Sequence, residues 1–306
     1  MKKQEAPRSR PSQTGTSAQQ GGGHVNSPIL RFDVNLSILF TELPLLERFA
    51  AAKSAGFDAV ELWWPLPEAV PLQRELDTVR HAIEDAGVRL AGLNFAAGDM
   101  AAGERGLLSR PADVHLFREN VHVAVEFAGQ LGCKTLNALY GNREPGLWPQ
   151  EQDELAVANL TYAAQAADRI GATVVVEALN SHENPVYPII SLASAYHVLE
   201  LVRANGPGNV AFLADLYHLS RMGEDLDTQI DRRAAEFGHV QIADAPGRGQ
   251  PGTGGIDYEK VLARLLLAGY QGHIGLEYRP VGPSADSFGW LPKLRAAVES
   301  TVEGSA

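Results

Sequence analysis

The sequence is poor in cysteine, since Cys133 is the single one among 306 residues. One thiol cannot form an internal disulfide, so the chain fits the reducing cytoplasm better than an oxidising compartment. Apolar runs are short as well. None approaches the ~18 to 20 uncharged residues that cross a bilayer, and none supplies the hydrophobic stretch of a secretory signal. We therefore predict a cytoplasmic protein with no membrane span.

Motifs of several common enzyme classes are also missing. The sequence has no Walker A lysine motif, no G-x-S-x-G elbow, no HExxH helix and no cysteine or histidine cluster with the spacing of a zinc site. The segment 247–252 does match the G-x-G-x-x-G dinucleotide pattern, but Pro246 and Pro251 interrupt it and helical signals resume only near Asp257. A pyrophosphate needs a helix N-terminus at the third glycine. We expect neither a nicotinamide nor a flavin cofactor.

Negative charge exceeds positive charge, and the excess is uneven along the chain. The formal net charge is -11, although residues 1–27 carry four basic side chains against one acidic side chain. Residues 28–306 therefore carry -14. Such an acidic body repels phosphate backbones, so we expect no nucleic-acid partner. Residues 1–27 are rich in Ser, Gln, Gly and Pro and lack apolar periodicity, which predicts a disordered N-terminal tail before a catalytic domain at 28–306.

Strand-like and helix-like segments alternate from residue 28 onward. Apolar residues at three- and four-residue spacing predict helices, for example Leu45–Ala55, Val114–Leu131, Gln152–Ile170, Leu192–Ala204 and Tyr258–Ala268. Short apolar runs predict eight strands, at Leu30–Asn35, Ala59–Trp63, Arg89–Phe95, Thr135–Tyr140, Thr173–Leu179, Val210–Asp215, His239–Ala243 and His273–Tyr278.

Glycines mark the change from helix to strand. Five of them follow a helical run and precede a strand, as a left-handed helix cap requires: Gly56, Gly87, Gly132, Gly171 and Gly269. The repeated order of helix, glycine and strand predicts a parallel βα succession. Eight such units in about 250 residues predict an α/β fold, a single (β/α)8 TIM barrel. In such barrels the chemistry lies at the C-terminal ends of the strands.

Polar side chains stand at the end of a short apolar run in each of the last four predicted strands: Glu177, Asp215, Gln241 and Glu277. A buried uncompensated carboxylate costs several kcal/mol (roughly), so a cation or another partner must offset it. Any one strand-end acid is more often a helix N-cap or a loop ion-pair partner. Four on consecutive strands favour an oxygen-ligand site for a hard divalent cation, Mg²⁺ or Mn²⁺ rather than zinc.

Four ordered motifs are spread over about residues 30–280. They are VNLSILF at 34–40, NFAAGDM at 94–100 followed by GERG at 103–106, DLYH at 215–218, and HVQIAD at 239–244 running to PGTG at 251–254. Together they resemble the hydroxypyruvate isomerase family, one of the xylose isomerase-like barrels. The resemblance implies a divalent metal on Glu177, Asp215, Gln241 and Glu277. It also implies that Glu177 and Glu277 move the proton.

The implied reaction interconverts hydroxypyruvate and tartronate semialdehyde. Moving a carbonyl to the neighbouring carbon passes through an enediolate, whose oxygens a divalent cation stabilises. Ser181 and His182 depart from the family pattern after Glu177, which leaves a related C4 2-oxo acid open as the substrate. A sugar epimerase or dehydratase of the same barrel superfamily is the alternative. The resemblance also suggests a homo-oligomer.

Substrate contacts are suggested for three side chains. His218 could donate a hydrogen bond to substrate or could be a structural histidine at a helix start. Arg248 could hold a substrate carboxylate or could be a solvated loop arginine. Glu183 could bind a substrate hydroxyl or could be an exposed loop carboxylate.

Two further segments could enclose the substrate. Residues 98–106 could fold over the barrel mouth to exclude water, or form an ordinary loop with an ion pair from Glu104 or Asp99 to Arg105. Trp63 and Trp64 could wall the pocket or fill the core.

Overall fold

Eight parallel strands close into a barrel in the computed structural model, which describes Met1 and residues 30–305. Each strand pairs with its neighbours in chain order, and β8 returns to pair with β1. The strands are β1 Phe32–Asn35, β2 Ala59–Leu62, β3 Arg89–Asn94, β4 Thr135–Asn137, β5 Thr173–Glu177, β6 Val210–Asp215, β7 Phe237–Ile242 and β8 Ile274–Leu276. The predicted TIM barrel is confirmed. The tail predicted for residues 1–27 lies outside the described residues, Met1 apart.

Helices alternate with these strands along the described chain. They are α1 Leu45–Ser54, α2 Gln73–Ala86, α3 Val114–Gln130, α4 Pro149–Asp168, α5 Leu192–Asn205, α6 Leu216–Arg221, α7 Leu226–Arg233, α8 Tyr258–Leu267 and α9 Leu291–Glu303. The five glycines predicted to end helices all have positive φ, between 62° and 94°. Side chains with a Cβ rarely adopt that conformation, so these glycines stop each helix and start the turn to the next strand.

Strand alternation decides which side chains reach the barrel interior. Val174 and Val176 of β5 join the main core between the strands and the helices. Val175 instead packs in a separate cluster with Ala211 and Leu213. Because side chains alternate along a strand, the residue two positions after an inward-facing one also faces inward. This periodicity places the side chains that end β5 and β6 at the mouth of the barrel.

No helix in the described part of the chain combines the length and the apolar character that crossing a membrane requires. The cytoplasmic location, the domain boundaries and the homo-oligomer stay predictions.

Candidate active site

The four predicted strand-end residues meet at one end of the barrel. Asp215 of β6 and Gln241 of β7 are direct partners across the sheet. Glu177 is the last residue of β5, and Glu277 directly follows β8. All four are at most 5% exposed. The chain therefore buries three carboxyl groups and one amide together.

Asp215 uses its two carboxylate oxygens differently. Its Oδ1 accepts hydrogen bonds from the main-chain N–H groups of Tyr217 at 2.8 Å and His218 at 3.3 Å, and so caps α6. Its Oδ2 is buried and has no hydrogen-bond partner among the described residues. Burial raises the pKa of Asp215 to about 7, although Arg248 opposes the shift. Asp215 is thus a helix N-cap through one oxygen and an available ligand through the other.

Glu177 is held by an amide on the neighbouring strand. Asn137, at the end of β4, donates its Nδ2–H to Glu177 Oε2 at 2.8 Å. Burial raises the pKa of Glu177 well above its ordinary value, and the negative charges of Glu277 and Asp215 raise it further. A carboxyl group with a raised pKa can hold or release a proton near neutral pH.

Glu277 is held by three donors. Its Oε1 accepts from Asn35 Nδ2 at 2.9 Å and from Trp63 Nε1 at 2.7 Å. Its Oε2 accepts from Arg248 Nη2 at 2.6 Å. Burial raises the pKa of Glu277, and Arg248 partly offsets that rise.

Arg248 reaches the carboxylates from the loop after β7. The φ angle of Arg248 is 56°, in the left-handed region. Its Nη2 lies 2.6 Å from Glu277 Oε2 and 3.7 Å from Asp215 Oδ2. Burial alone would lower the pKa of Arg248, but the surrounding carboxylates, Glu277 first, raise it. The guanidinium therefore stays charged and compensates part of the buried negative charge.

A buried network beneath the mouth fixes the amide of Gln241. Gln241 Nε2 donates to Glu61 Oε1 at 2.8 Å, which leaves Gln241 Oε1 buried and without a hydrogen-bond partner in the described part of the chain. Glu61 also accepts from Asn35 Nδ2 at 3.0 Å and lies 2.6 Å from His239 Nε2. Burial would lower the pKa of His239, yet Glu61 and then Asp33 raise it to about 9. His239 is therefore a cation that balances the Glu61 carboxylate.

His218 has its donor role set by the backbone. The main-chain N–H of Asn180 donates to His218 Nδ1 at 3.0 Å. Because Nδ1 accepts, the ring proton is on Nε2, which lies 3.5 Å from Asp215 Oδ2 and 3.9 Å from Glu177 Oε1. Burial, and then the charges of Arg248 and Arg105, lower the pKa of His218 well below its usual range. The side chain is a neutral N–H donor at the mouth of the barrel.

A cavity of about 520 Å³ opens above these groups. Glu177, Glu277, His218, Arg248 and Glu183 all line it, together with Trp63. The structure therefore brings every predicted catalytic and substrate-binding residue to one cavity. Asp215 and Gln241 are not among its lining residues: Asp215 lies 3.7 Å from the lining residue Arg248, and Gln241 bonds to Glu61 in the network beneath the mouth.

Glu183 occupies the cavity wall as a charged carboxylate. Its Oε2 accepts from Asn180 Nδ2 at 2.8 Å and from Tyr217 OH at 3.1 Å. Burial would raise the pKa of Glu183, but these two hydrogen bonds and Arg248 lower it. Glu183 is an exposed residue of a turn, as the second interpretation predicted, and the same carboxylate also lines the cavity, where it can accept from a hydroxyl group.

Residues 98–106 bring Arg105 into the same cavity. Neither predicted ion pair of this loop forms, because Glu104 instead pairs with Arg110. Arg105 donates from Nε to Asn184 Oδ1 at 2.7 Å, and from Nη1 to the main-chain oxygens of Met100 at 2.9 Å and Glu104 at 2.6 Å.

The donor set fits a hard divalent cation. Asp215 Oδ2 and Gln241 Oε1, two buried oxygens that have no hydrogen-bond partner within the described residues, belong to residues paired across adjacent strands. Ligand atoms of Glu177, Asp215 and His218 lie within 4.8 Å of one another. His218 Nε2 carries a proton and so has no lone pair to offer a metal. The oxygen donors are therefore the better match. A dication would also relieve the repulsion among three buried carboxylates.

Sequence reasoning missed the polar residues at or next to the C-terminal ends of the first four strands. Asn35, Glu61, Asn94 and Asn137 occupy on β1 to β4 the place that the predicted residues occupy on β5 to β8. Each is buried, and three of them hydrogen-bond to predicted site residues or to one another. Only Asn35 ends its predicted strand, whereas apolar residues continue after Glu61, Asn94 and Asn137, so the sequence signal was weak at those three positions.

Comparisons with known proteins agree with this geometry. A family model described as xylose isomerase-like TIM barrel matches residues 49–294. A Streptomyces coelicolor protein provisionally named a hydroxypyruvate isomerase is 60% identical over 86% of this chain and 95% of its own length. The hydroxypyruvate isomerase of Escherichia coli is 32% identical over 87% and 100% of the two chains. The 2-oxo-tetronate isomerase of Pectobacterium atrosepticum is 34% identical over 85% and 96%.

Proposed function

Because this chain belongs to the xylose isomerase-like TIM barrel family, we propose that it is a metal-dependent isomerase of hydroxypyruvate and tartronate semialdehyde, or of a closely related C4 2-oxo acid. The coarser assignment, an isomerase that acts on small 2-oxo acids, follows from the relatives. The observation that supports metal dependence is the pair of buried, unpartnered oxygens on Asp215 and Gln241.

Glu177, Asp215, Gln241 and Glu277 would hold the metal, with Mg²⁺ or Mn²⁺ the best match to their oxygen donors. The bound cation would supply Lewis-acid stabilisation of the two enediolate oxygens. Gln241 is neutral, so the set brings three negative charges to a dication. A chelator should abolish turnover, and added Mg²⁺ or Mn²⁺ should restore it.

We assign the proton transfer to Glu177 and Glu277. In our proposal one of the two carboxylates removes the proton from C3 of hydroxypyruvate, and the other delivers a proton to C2 from the opposite side of the substrate. Burial raises the pKa of both groups, which suits a carboxyl that must accept a proton and return it near neutral pH. Asn137 and Trp63 keep the two carboxylates oriented.

The substrate-binding roles fall to His218, Arg248 and Glu183. The His218 Nε2–H would donate to a substrate oxygen as negative charge develops there. Arg248, bonded to Glu277, would keep positive charge beside the reacting carbons. Glu183 would accept from a hydroxyl group.

The Glu277→Gln substitution tests the proton-transfer role. The amide keeps the shape and an oxygen ligand but cannot carry the proton, so we expect kcat for hydroxypyruvate to fall about 100- to 10,000-fold while Mn²⁺ still binds. Turnover and solvent-proton exchange into substrate would be followed by NMR. The exposed Glu68 provides a matched control as Glu68→Gln, which should leave both measurements unchanged.

Full turnover by a Glu277→Gln protein with bound Mn²⁺ would reject this assignment. The identity of the product is equally informative. An epimer or a dehydrated product from the wild type would replace the isomerase with a sugar epimerase or a dehydratase of the same barrel superfamily.

A further inference from the structure

Arg105 forms no ion pair with a carboxylate of the described residues, and Glu183 acts on its charge only from beyond contact distance. Its three hydrogen bonds all go to neutral oxygens, those of Asn184, Met100 and Glu104. The other arginine of the cavity wall close to the reacting groups, Arg248, is by contrast bonded to Glu277. A partly buried guanidinium normally pairs with an acid, since burying an unpaired charge is costly. An anionic group of the substrate is therefore a candidate for the missing partner of Arg105.

The guanidinium is held in place before any substrate arrives. Nε and Nη1 are fixed by the three neutral acceptors, while Nη2 makes no hydrogen bond to the described residues. The backbone beneath is also fixed, because Gly141 N–H donates to the Arg105 carbonyl at 2.9 Å and Gly106 N–H donates to the Ala97 carbonyl at 2.9 Å. A preorganised guanidinium loses little entropy when it binds an anion.

The electrostatic surroundings also favour an anion. Arg105 lines the same cavity as Glu177, Glu277 and Arg248. Burial, and then the like charge of Arg248, lower the pKa of Arg105, which indicates that the two cations are near enough to repel each other. A carboxylate between or beside them would relieve this repulsion, whereas a neutral hydroxyl would not.

We propose that Arg105 binds the carboxylate of the substrate and thereby selects 2-oxo acids over neutral sugars. This inference rests on the proposed function, which it makes more specific. The substrate carboxylate is thereby assigned to Arg105, in the loop after β3, and not to Arg248, the residue that the sequence suggested. The end of the substrate that carries the carboxylate then lies toward residues 98–106, and the reacting carbons lie toward Glu177 and Glu277.

The test compares an anionic and a neutral C3 substrate in Arg105→Met and Arg105→Lys. We expect kcat/KM for hydroxypyruvate to fall about 30-fold or more in Arg105→Met, mainly through KM, because a charged hydrogen-bonded partner is lost. The value for dihydroxyacetone, which has no carboxylate, should change less than about threefold. Arg105→Lys keeps the positive charge but lacks the planar guanidinium. Its kcat/KM for hydroxypyruvate should therefore lie between those of the wild type and Arg105→Met. Arg74, an exposed arginine that does not line the cavity, gives the charge control as Arg74→Met, which should leave kcat/KM for both substrates unchanged.

Binding of D-glycerate provides a readout that does not require turnover. Its inhibition constant or calorimetric affinity should weaken in Arg105→Met by a factor similar to that for hydroxypyruvate, while Mn²⁺ affinity is unchanged. Equal losses for hydroxypyruvate and dihydroxyacetone, or unchanged glycerate binding, would overturn the inference. A wild type that binds glycerate through Arg105 but isomerises no 2-oxo acid would reject the proposed function and keep the carboxylate site.

Discussion

At the scale of single residues, the site depends on side chains that orient other side chains. Three of the four proposed metal or catalytic groups have a buried side chain that fixes them: Asn137 for Glu177, Asn35 for Glu277 and Glu61 for Gln241. An amide can present either its oxygen or its nitrogen to a cation. Glu61 resolves that choice, because a carboxylate can only accept and so turns the Gln241 nitrogen toward itself. Such outer partners commonly change metal affinity by 10- to 100-fold (roughly).

Glu61→Gln should therefore weaken Mn²⁺ binding about 10- to 100-fold. The new amide can donate as well as accept, so it no longer specifies which end of the Gln241 amide faces the metal. Mn²⁺ titration followed by electron paramagnetic resonance would give the affinity. Tyr278→Phe is the control, because its hydroxyl is also buried and hydrogen-bonded, to Ser287, without contacting the site. Equal Mn²⁺ affinity in Glu61→Gln and wild type would show that Glu61 does not orient the ligand.

At the scale of elements, the loop after β3 is shaped by glycines with different constraints. Gly106 has φ of 114°, and a Cβ there would lie 1.9 Å from the carbonyl oxygen of Leu139. Gly103 has φ of 99°, yet a Cβ there would meet nothing within 4 Å. Both positions disfavour side chains through φ alone. Of the two, only Gly106 is also packed closely, against the backbone of Leu139 in the loop after β4.

This difference predicts distinct effects of alanine at the two positions. Gly103→Ala should cost about 1 kcal/mol of unfolding free energy, from the strained backbone. Gly106→Ala should cost at least about 2 kcal/mol more or should displace the loop, because the clash is with backbone that cannot rotate away. Displacement would move the adjacent Arg105 and raise KM for hydroxypyruvate. Urea unfolding and steady-state kinetics on both variants would check this, and similar results for the two would contradict the packing argument.

Sequence patterns predicted the order of strands well because the signals are local. The glycine caps and the buried apolar runs depend on neighbouring residues, and each predicted strand contains or overlaps an observed one. Strand β4 is shorter than predicted, since Ala138 to Tyr140 leave the ladder after Asn137. The helices α6 and α7 carry a weaker sequence signal than the named examples, because six and eight residues are too few for a clear amphipathic pattern.

Candidate site residues were predicted only where the local sequence marked them, as a polar side chain at the end of an apolar run does. Glu177, Asp215, Gln241 and Glu277 each end an apolar run, and the structure brings them together as predicted. The partner of Arg105 was not predictable, since Asn184 lies 79 residues away and the expected Glu104 instead pairs with Arg110. Contacts between loops depend on the packing of the barrel and not on local spacing.

At the scale of the whole molecule, the barrel concentrates negative charge at one end of its axis. Strand ends at the mouth carry Glu177, Asp215 and Glu277, and Arg248 compensates them only in part. Burial raises the pKa of each of the three carboxyl groups. Burying these carboxyl groups costs the fold some stability, and in our proposal metal binding to the native state would restore it.

The metal-free protein should therefore become less stable as pH rises from about 4 to about 7. The pKa of Asp215 is about 7 in the folded chain and about 3.9 in an unfolded one. The folded state thus binds the proton more tightly, and its stabilising contribution is complete below about pH 4 and is lost as pH rises through 7. Asp215→Asn keeps the N-cap but cannot ionise. Urea unfolding of EDTA-treated wild type and variant from pH 4 to 8 isolates this contribution.

We expect wild type to lose at least about 1.4 kcal/mol relative to Asp215→Asn over this range, the equivalent of one pKa unit. Saturating Mn²⁺ should remove the loss in wild type, because the cation replaces the proton on the carboxylate. The variant lacks one anionic ligand and should gain much less from Mn²⁺. If the unfolding free energies of the two metal-free proteins change in parallel with pH, the Asp215 carboxyl ionises in the folded state without penalty. Equal stabilisation of both proteins by Mn²⁺ would exclude Asp215 as a ligand.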